Sequence, residues 1–182
     1  MGTYFQWIAD VDATTEEAPQ LAAALTQQLV RRGIILRDIV DGAAYGDPGH
    51  EPGPRFLDAG KDPGWARGVD GVRVISTREA FWGAQGDCDW AECPRCSHRF
   101  DPGAERLLDS LDGWIAGEPA TSSCPGCLDD VALPQWRWYE NCFAFASLGL
   151  WFWQWPELGP LVTDVFREVV GSHRLVYRYG KL

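Results

Sequence analysis

The chain has 182 residues, 46% of them hydrophobic, and a formal net charge of −10. That length favours one domain, residues 1–182, with room for an apolar core, so a cofactor need not be its sole source of stability. The acidic balance disfavours nucleic acid and anionic membrane as partners; it suits a basic partner, or serves solubility alone. Ten tryptophans can fill a core or line a groove, and composition does not choose between the two.

Met1 to Gln6 has neither a basic region nor an apolar run, so no secretory leader is expected. Gly2 lacks the Ser or Thr at position 6 that a myristoylation signal wants. A cytoplasmic, reducing location is the resulting expectation, and paired Cys-x-x-Cys motifs there favour metal over disulfides.

Tyr4 to Val11 is short and rich in aromatic and branched residues, a strand pattern. Thr14 and Glu17 have capping-box spacing. Ala18, Leu21, Ala22, Leu25 and Leu29 follow on one helical face, predicting a helix over 16–32. Pro19 fits only its first turn, and Gly33 offers its stop. Ile34 to Val40 reads as a second strand. Asp41 to Gly71 is rich in Gly and carries Pro48, Pro52, Pro54 and Pro63, which predicts a long loop. Val72 to Ser76 and Phe81 to Trp82 suit short strands.

From about Cys88 to Glu140 the pattern changes. Asp101-Pro102 has helix-start chemistry, and Ala104, Leu107, Leu108, Leu111, Trp114 and Ile115 form one stripe, predicting a helix over 104–116 that Gly117 can end. Beyond this segment, Phe143 to Trp155 is apolar on both alternating faces, as in a central strand, and the apolar run from Cys142 to Trp153 is too short to span a bilayer. Leu158, Leu161, Val162, Val165, Phe166, Val169 and Val170 give a helical stripe over 157–170, and His173 to Tyr179 a last strand. The expected fold is α+β: a mixed sheet with helices on one face, and two βαβ-like units, in a ferredoxin-like arrangement, flanking a module at 88–140.

The chemistry concentrates in Cys93-Pro94-Arg95-Cys96 and Cys124-Pro125-Gly126-Cys127. A Cys-x-x-Cys turn places two sulfurs on one side, and two such turns supply the four thiolates that tetrahedral Zn²⁺ takes. Proline stiffens each turn, and Gly126 permits a positive φ. Over 88–140 the sequence resembles the zinc-ribbon family, whose Cys-Pro-x-Cys knuckles sit on β-hairpins; the resemblance implies a structural zinc module and no particular function. The pairs also resemble those of rubredoxins, which hold iron, and Phe100-Asp101-Pro102 adds to that likeness. Rubredoxins carry Gly after each knuckle, where this chain has Ser97 and Leu128. A redox dithiol fits less well, because two pairs favour a shared metal. Four thiolates leave no open coordination position, so the metal, Zn²⁺ before Fe, is expected to be structural. Backbone N–H groups, with Arg95, His98 and Arg99, can offset its net negative charge.

Other residues carry weaker signals. His98 and Cys88 are spare ligands that a complete set of four thiolates does not need, and Cys142 reads as a small buried hydrophobe. His50, Arg55, Lys61 and Arg67, with Trp65, could serve an enzyme through the 41–71 loop. Phosphate-loop, nucleophile-elbow and zinc-protease motifs are absent from the sequence. Trp136, Trp138, Tyr139, Trp151, Trp153 and Trp155 could stack bases or sugars but more often pack a core. The resulting expectation is a zinc-binding protein with a structural four-cysteine site that works by binding a protein, such as an acidic inhibitor or immunity-type partner of a basic protein. A small-molecule enzyme is the alternative, and a nucleic-acid-binding ribbon comes third.

Overall fold

The computed structural model describes residues 2–62, 64–65, 68–83, 88–103, 105 and 107–182. The readings made on Pro63, Arg67 and Ala104 lie outside the described residues. The fold is α+β, and the sheet is not mixed as expected: every strand pairing is antiparallel.

The chain opens with β1 (Tyr4–Asp10), whose residues are buried on both faces from Phe5 onward. The capping box then forms as its spacing implied. Glu17 N–H donates to Thr14 Oγ1 at 3.2 Å, and Thr14 N–H to Glu17 Oε2 at 3.2 Å. Helix α1 (Ala18–Arg31) follows and buries Ala18, Ala22, Leu25 and Leu29. It ends in a Schellman motif: Gly33 at φ 73° donates to Val30 O, and Ile34 donates to Leu29 O.

The predicted long loop begins instead with a hairpin. Strand β2 (Ile35–Ala44) turns at Tyr45-Gly46, both at positive φ, into β3 (Asp47–Pro52). Two register irregularities and the prolines at 48 and 52 hide this hairpin from sequence reasoning, because Pro cannot donate to a ladder. A one-turn helix (Phe56–Ala59) leads on toward β4 (Val72–Ile75) and β5 (Glu79–Trp82).

Within 88–140, β6 (Ala91–Glu92) pairs with β7 (Arg99–Phe100). Helix α2 (Leu111–Ile115) is far shorter than the expected 104–116. The Asp101 carboxylate does accept a backbone N–H, from Gly103 at 2.8 Å, but the described residues from Pro102 to Ser110 form turns rather than a helix. Leu107 and Trp114 still point inward, whereas Ile115 is exposed. Strands β8 (Thr121–Ser123) and β9 (Asp130–Ala132) pair, and β10 (Arg137–Trp138) joins β6.

The apolar run after Cys142 is two strands, not one. Ser147 separates β11 (Phe143–Ala146), which pairs with β5, from β12 (Leu148–Trp153), which pairs with β1 and β4. Helix α3 (Pro160–Val170) and β13 (Leu175–Lys181) complete the chain. The main sheet runs β13-β1-β12-β4-β3-β2. Among the described residues no neighbouring strands run parallel, so the expected ferredoxin-like pair of βαβ units is not shown. From the successive antiparallel pairings, β12 and β13 run the same way with β1 between them, and α3 joins them.

Helices α1 and α3 cover one face of this sheet, over Ile8, Leu148, Leu150 and Phe152. The other face presents Phe5, Trp7, Trp151 and Trp153, covered by Phe81 of β5 and by Ala144 and Ala146 of β11. Phe81 stacks on Trp151, with centroids 5.7 Å apart, and Gly149 leaves the space its ring needs. Seven of the ten tryptophans are buried and so belong chiefly to the core. Among the described residues no helix is long and apolar enough to cross a membrane.

Two buried polar side chains pin the sheet to its surroundings. Gln6 uses its whole amide. Its Nε2 donates to Pro156 O at 2.8 Å and Trp155 O at 3.2 Å, and its Oε1 accepts from Leu158 N–H and Tyr177 Oη. Gln6→Ala would orphan all four partners. A loss of about 3 kcal/mol or more is expected in denaturant unfolding. Buried Asp10 accepts from the N–H groups of Asp12 and Ala13 and from His173 Nδ1 at 2.8 Å. The hydrogen bond to Asp10 raises the His173 pKa above its ordinary value, against the opposing effect of burial. Its contribution to stability is therefore complete below about pH 6.5 and is lost as pH rises through the raised folded value. Thermal melts across that window should show the loss in the native chain and not in His173→Gln.

Candidate metal centre

Each Cys-Pro-x-Cys turn is the tip of a short antiparallel hairpin: the first joins β6 to β7, the second β8 to β9. The two tips are built alike. Ser97 N–H donates to Cys93 O at 3.0 Å, and Leu128 N–H to Cys124 O at 2.8 Å. Cys93 N–H closes on His98 O, and Cys124 N–H on Asp129 O. In each, the N–H two residues on faces the first sulfur: Arg95 to Cys93 Sγ at 3.4 Å, Gly126 to Cys124 Sγ at 3.3 Å.

The positive φ falls after the knuckles, not within them. Ser97 has φ 59° and Leu128 φ 63°, the positions where rubredoxins carry glycine. Gly126 is not in the left-handed region; it matters because a Cβ there would meet the His98 side chain at 2.6 Å. His98 thus packs against the second knuckle and stacks on Phe100, with centroids 6.3 Å apart.

The Sγ atoms of Cys93, Cys96, Cys124 and Cys127 all lie within 4.8 Å of one another. Cys96 and Cys124 are 3.6 Å apart, Cys93 and Cys127 4.0 Å. A tetrahedron with Zn–S bonds of ~2.3 Å has edges of ~3.8 Å. The spacing therefore fits a tetrahedral ion and is far too long for disulfides. The cluster is consistent with a zinc-knuckle site and could hold a metal ion such as zinc. Cys93 and Cys124 are buried, Cys127 is partly buried and Cys96 is exposed.

The electrostatics show why such a cluster calls for a cation. Burial raises the Cys124 thiol, but the N–H groups of Cys127 and Gly126 and the neighbouring thiols outweigh it and bring it to about 7. At Cys127 the N–H of Asp129 favours the thiolate, but burial and the other three sulfurs push it up to about 12. Four thiolates at this spacing cannot all ionise without a positive charge among them. Of the cations expected nearby, Arg95 instead ties the knuckles together through Asp129 of the other turn, at 3.4 Å, and Arg99 is held by Glu92 at 2.7 Å.

The knuckles belong to a separate apolar cluster. Buried Cys93 and Cys124 pack with Leu107, Trp114, Val131, Leu133, Trp136 and Trp138. Phe145 of β11 joins it, while Ala144 and Ala146 face the main sheet.

Sequence reasoning missed one covalent link. Cys88 and Cys142, which by spacing read as a spare ligand and a small hydrophobe, form a disulfide across a separation of 54 residues, with Cα atoms 5.8 Å apart. It closes the segment that carries the knuckles at its base. A loop of that length corresponds to roughly 4 kcal/mol in the chain-entropy account. No sequence signal marked the link, since Cys88 and Cys142 carry no paired motif.

The described candidate enzyme residues each have a partner of their own. His50 is buried in β3 with Nδ1 against Leu36 O, Arg55 pairs with Asp58, and Lys61 pairs with Glu157. Comparison with protein-family models, curated proteins and solved structures finds no match to this chain.

The two classes of cysteine should separate on mutation. Cys96→Ser is expected to abolish stoichiometric zinc binding and to cost on the order of 4 kcal/mol or more, as loss of a metal does. Cys142→Ser should lower the melting temperature while elemental analysis still returns one zinc per chain.

Proposed function

We propose that this chain is a zinc-binding protein whose four-cysteine site is structural and whose work is to bind a basic protein, in the manner of an acidic inhibitor or immunity-type partner. The closed thiolate set supports the structural role: it leaves no position for water or substrate. A cytoplasmic setting keeps the thiolates available to zinc, whereas an oxidising one preserves the Cys88–Cys142 disulfide.

The observation that carries the reading is Leu128. It is 78% exposed at the tip of the second knuckle, in the left-handed backbone region at φ 63°. An L-residue there costs roughly 1–2 kcal/mol relative to glycine, and an exposed leucine recovers none of it by burial. The knuckle sets the backbone at 128, as it does at Ser97, and gives no reason for an apolar side chain there; an exposed leucine at a turn tip suits a contact. The flanking groups suit a cationic partner. Asp129, shared with Arg95, and Asp130, which accepts from Ser123 Oγ, follow directly, and Asp101, Glu105, Asp109, Asp112 and Glu118 are exposed on the same 88–140 segment. Charge of one sign speeds encounter, and an apolar anchor slows release.

Leu128→Gly separates fold from function. Stability should stay level or rise by up to about 1 kcal/mol, as relief of strain offsets the added chain entropy. Salt-sensitive capture of basic proteins from native lysate should fall at least about tenfold, and Asp129→Asn with Asp130→Asn should reduce it further. Undiminished capture by Leu128→Gly would overturn the reading.

A further inference from the structure

A cleft of about 430 Å³ lies between the metal-bearing segment and the edge of the main sheet. Its volume is in the range that small ligands occupy. Trp90, Trp138 and Phe143 give it aromatic walls, and Arg99, Arg137 and Arg174 give it charge. In a chain of net charge −10, this lining is locally basic. Its two carboxylates are Glu92 and Glu140, and Glu140 is already engaged by Arg178 from outside the lining, at 3.6 Å. Glu92 alone is shared by Arg99, at 2.7 Å, and Arg137, at 3.3 Å.

Arg174 is the group left without an anion. Among the described residues its guanidinium meets only carbonyls, Pro134 O at 2.8 Å and Gln135 O at 3.4 Å. Asp12 lies near, but its carboxylate accepts the Arg174 backbone N–H, at 2.7 Å. Burial lowers the guanidinium pKa and the positive charge of Arg137 adds to that, against the pull of Asp12. A half-buried cation beside a second cation is costly unless an anion joins them. Arg137 and Arg174 also line a smaller adjoining hollow, so both are reachable from the cleft mouth.

The walls specify the rest of the ligand. The Arg99 guanidinium lies over the Trp90 ring, 4.0 Å from its centroid, and Tyr139 meets that ring edge-on at 5.6 Å, so this wall is built of flat groups that suit a planar ligand. Trp136, whose Nε1 is buried with no acceptor among the described residues, backs the same cleft. At the rim, Glu140 and Asn141 both have positive φ, 43° and 56°, and Asn141 Nδ2 holds this turn to Tyr177 O at 2.9 Å. Two adjacent non-glycine residues in that region form a strained turn held by its surroundings, as at binding sites.

We propose that this cleft binds a small carboxylate with a planar aromatic body, the carboxylate bridging Arg137 and Arg174 and the ring lying along the Trp90 wall. Calorimetric titration of the zinc-loaded chain with indole-3-carboxylate, indole-3-carboxamide and acetate tests this. The carboxylate should bind, and the isosteric carboxamide and ring-less acetate should each bind at least about tenfold more weakly, the scale of a charge-assisted hydrogen bond. Arg137→Gln should weaken the carboxylate at least about fivefold. Arg174→Gln should do the same or more, with zinc content and circular dichroism as checks because Arg174 also holds two carbonyls. Arg137 makes only an exposed ion pair, so its variant keeps the test sound if Arg174→Gln misfolds. Arg55→Gln, the same charge change at an exposed ion pair outside the cleft lining, should leave binding unchanged. Absence of indole-3-carboxylate binding, equal binding of carboxylate and carboxamide, or an Arg137→Gln titration identical to the native chain would overturn the proposal.

Discussion

The structure depends on a central pair of strands, β1 and β12, that is apolar on both faces. A sheet buried on two sides needs two covers. Helices α1 and α3 provide one, with stripes of Leu, Val and Phe at helical spacing. The second cover has to meet a wall of Phe5, Trp7, Trp151 and Trp153, and large rings pack there only where small residues or gaps oppose them. Gly149 makes the gap for Phe81, and Ala144 and Ala146 supply the small residues.

Strand β11 is where the two halves of the molecule share a wall. Its period-two alternation sends Ala144 and Ala146 to the tryptophans of the sheet and Phe145 to the cluster around Cys93 and Cys124. Rings on the metal side then follow one another: Phe145 against Trp138 at 5.4 Å and against Trp114 at 5.9 Å, and Phe100 against Trp136 at 5.2 Å. An ion among the four sulfurs would thereby brace, through one strand, the cover of the aromatic face. The Cys88–Cys142 disulfide acts at the same junction, since Cys142 immediately precedes β11.

The 88–140 segment carries two chemistries on its surface. Exposed carboxylates and Leu128 occupy the outer turns, where water solvates the charge. Arg95 is the cation among them, and Arg99, Arg137 and Arg174 line the cleft, with Arg174 anchored by the carbonyls of Pro134 and Gln135. A strongly acidic chain can therefore contain one locally basic cleft, because electrostatics at contact distance follow near neighbours rather than net charge.

The sequence by itself determined what depends on neighbours along the chain. The two Cys-Pro-x-Cys turns, the Thr14–Glu17 box, the stop at Gly33 and the stripes of α1 and α3 all arise within one or two turns of backbone, and all appear in the structure. That four sulfurs would come together was legible too, because a Cys-x-x-Cys turn fixes its pair locally and only one other such pair exists. Tertiary structure decided the rest. Pro48 and Pro52 signalled a loop, yet the irregular hairpin with β2 and the more distant pairing of His50 with Val72 of β4 made a strand. One apolar run became β11 and β12 because two different sheets compete for its edges, and no periodicity records that competition. The helix signal at Asp101-Pro102 gave way to turns because packing around the sulfurs, not propensity, sets the path there. The disulfide of Cys88 with Cys142 and the meeting of Arg137 with Arg174 join residues 54 and 37 positions apart. Such contacts depend on which surfaces the folded chain brings face to face, and a linear pattern does not encode that.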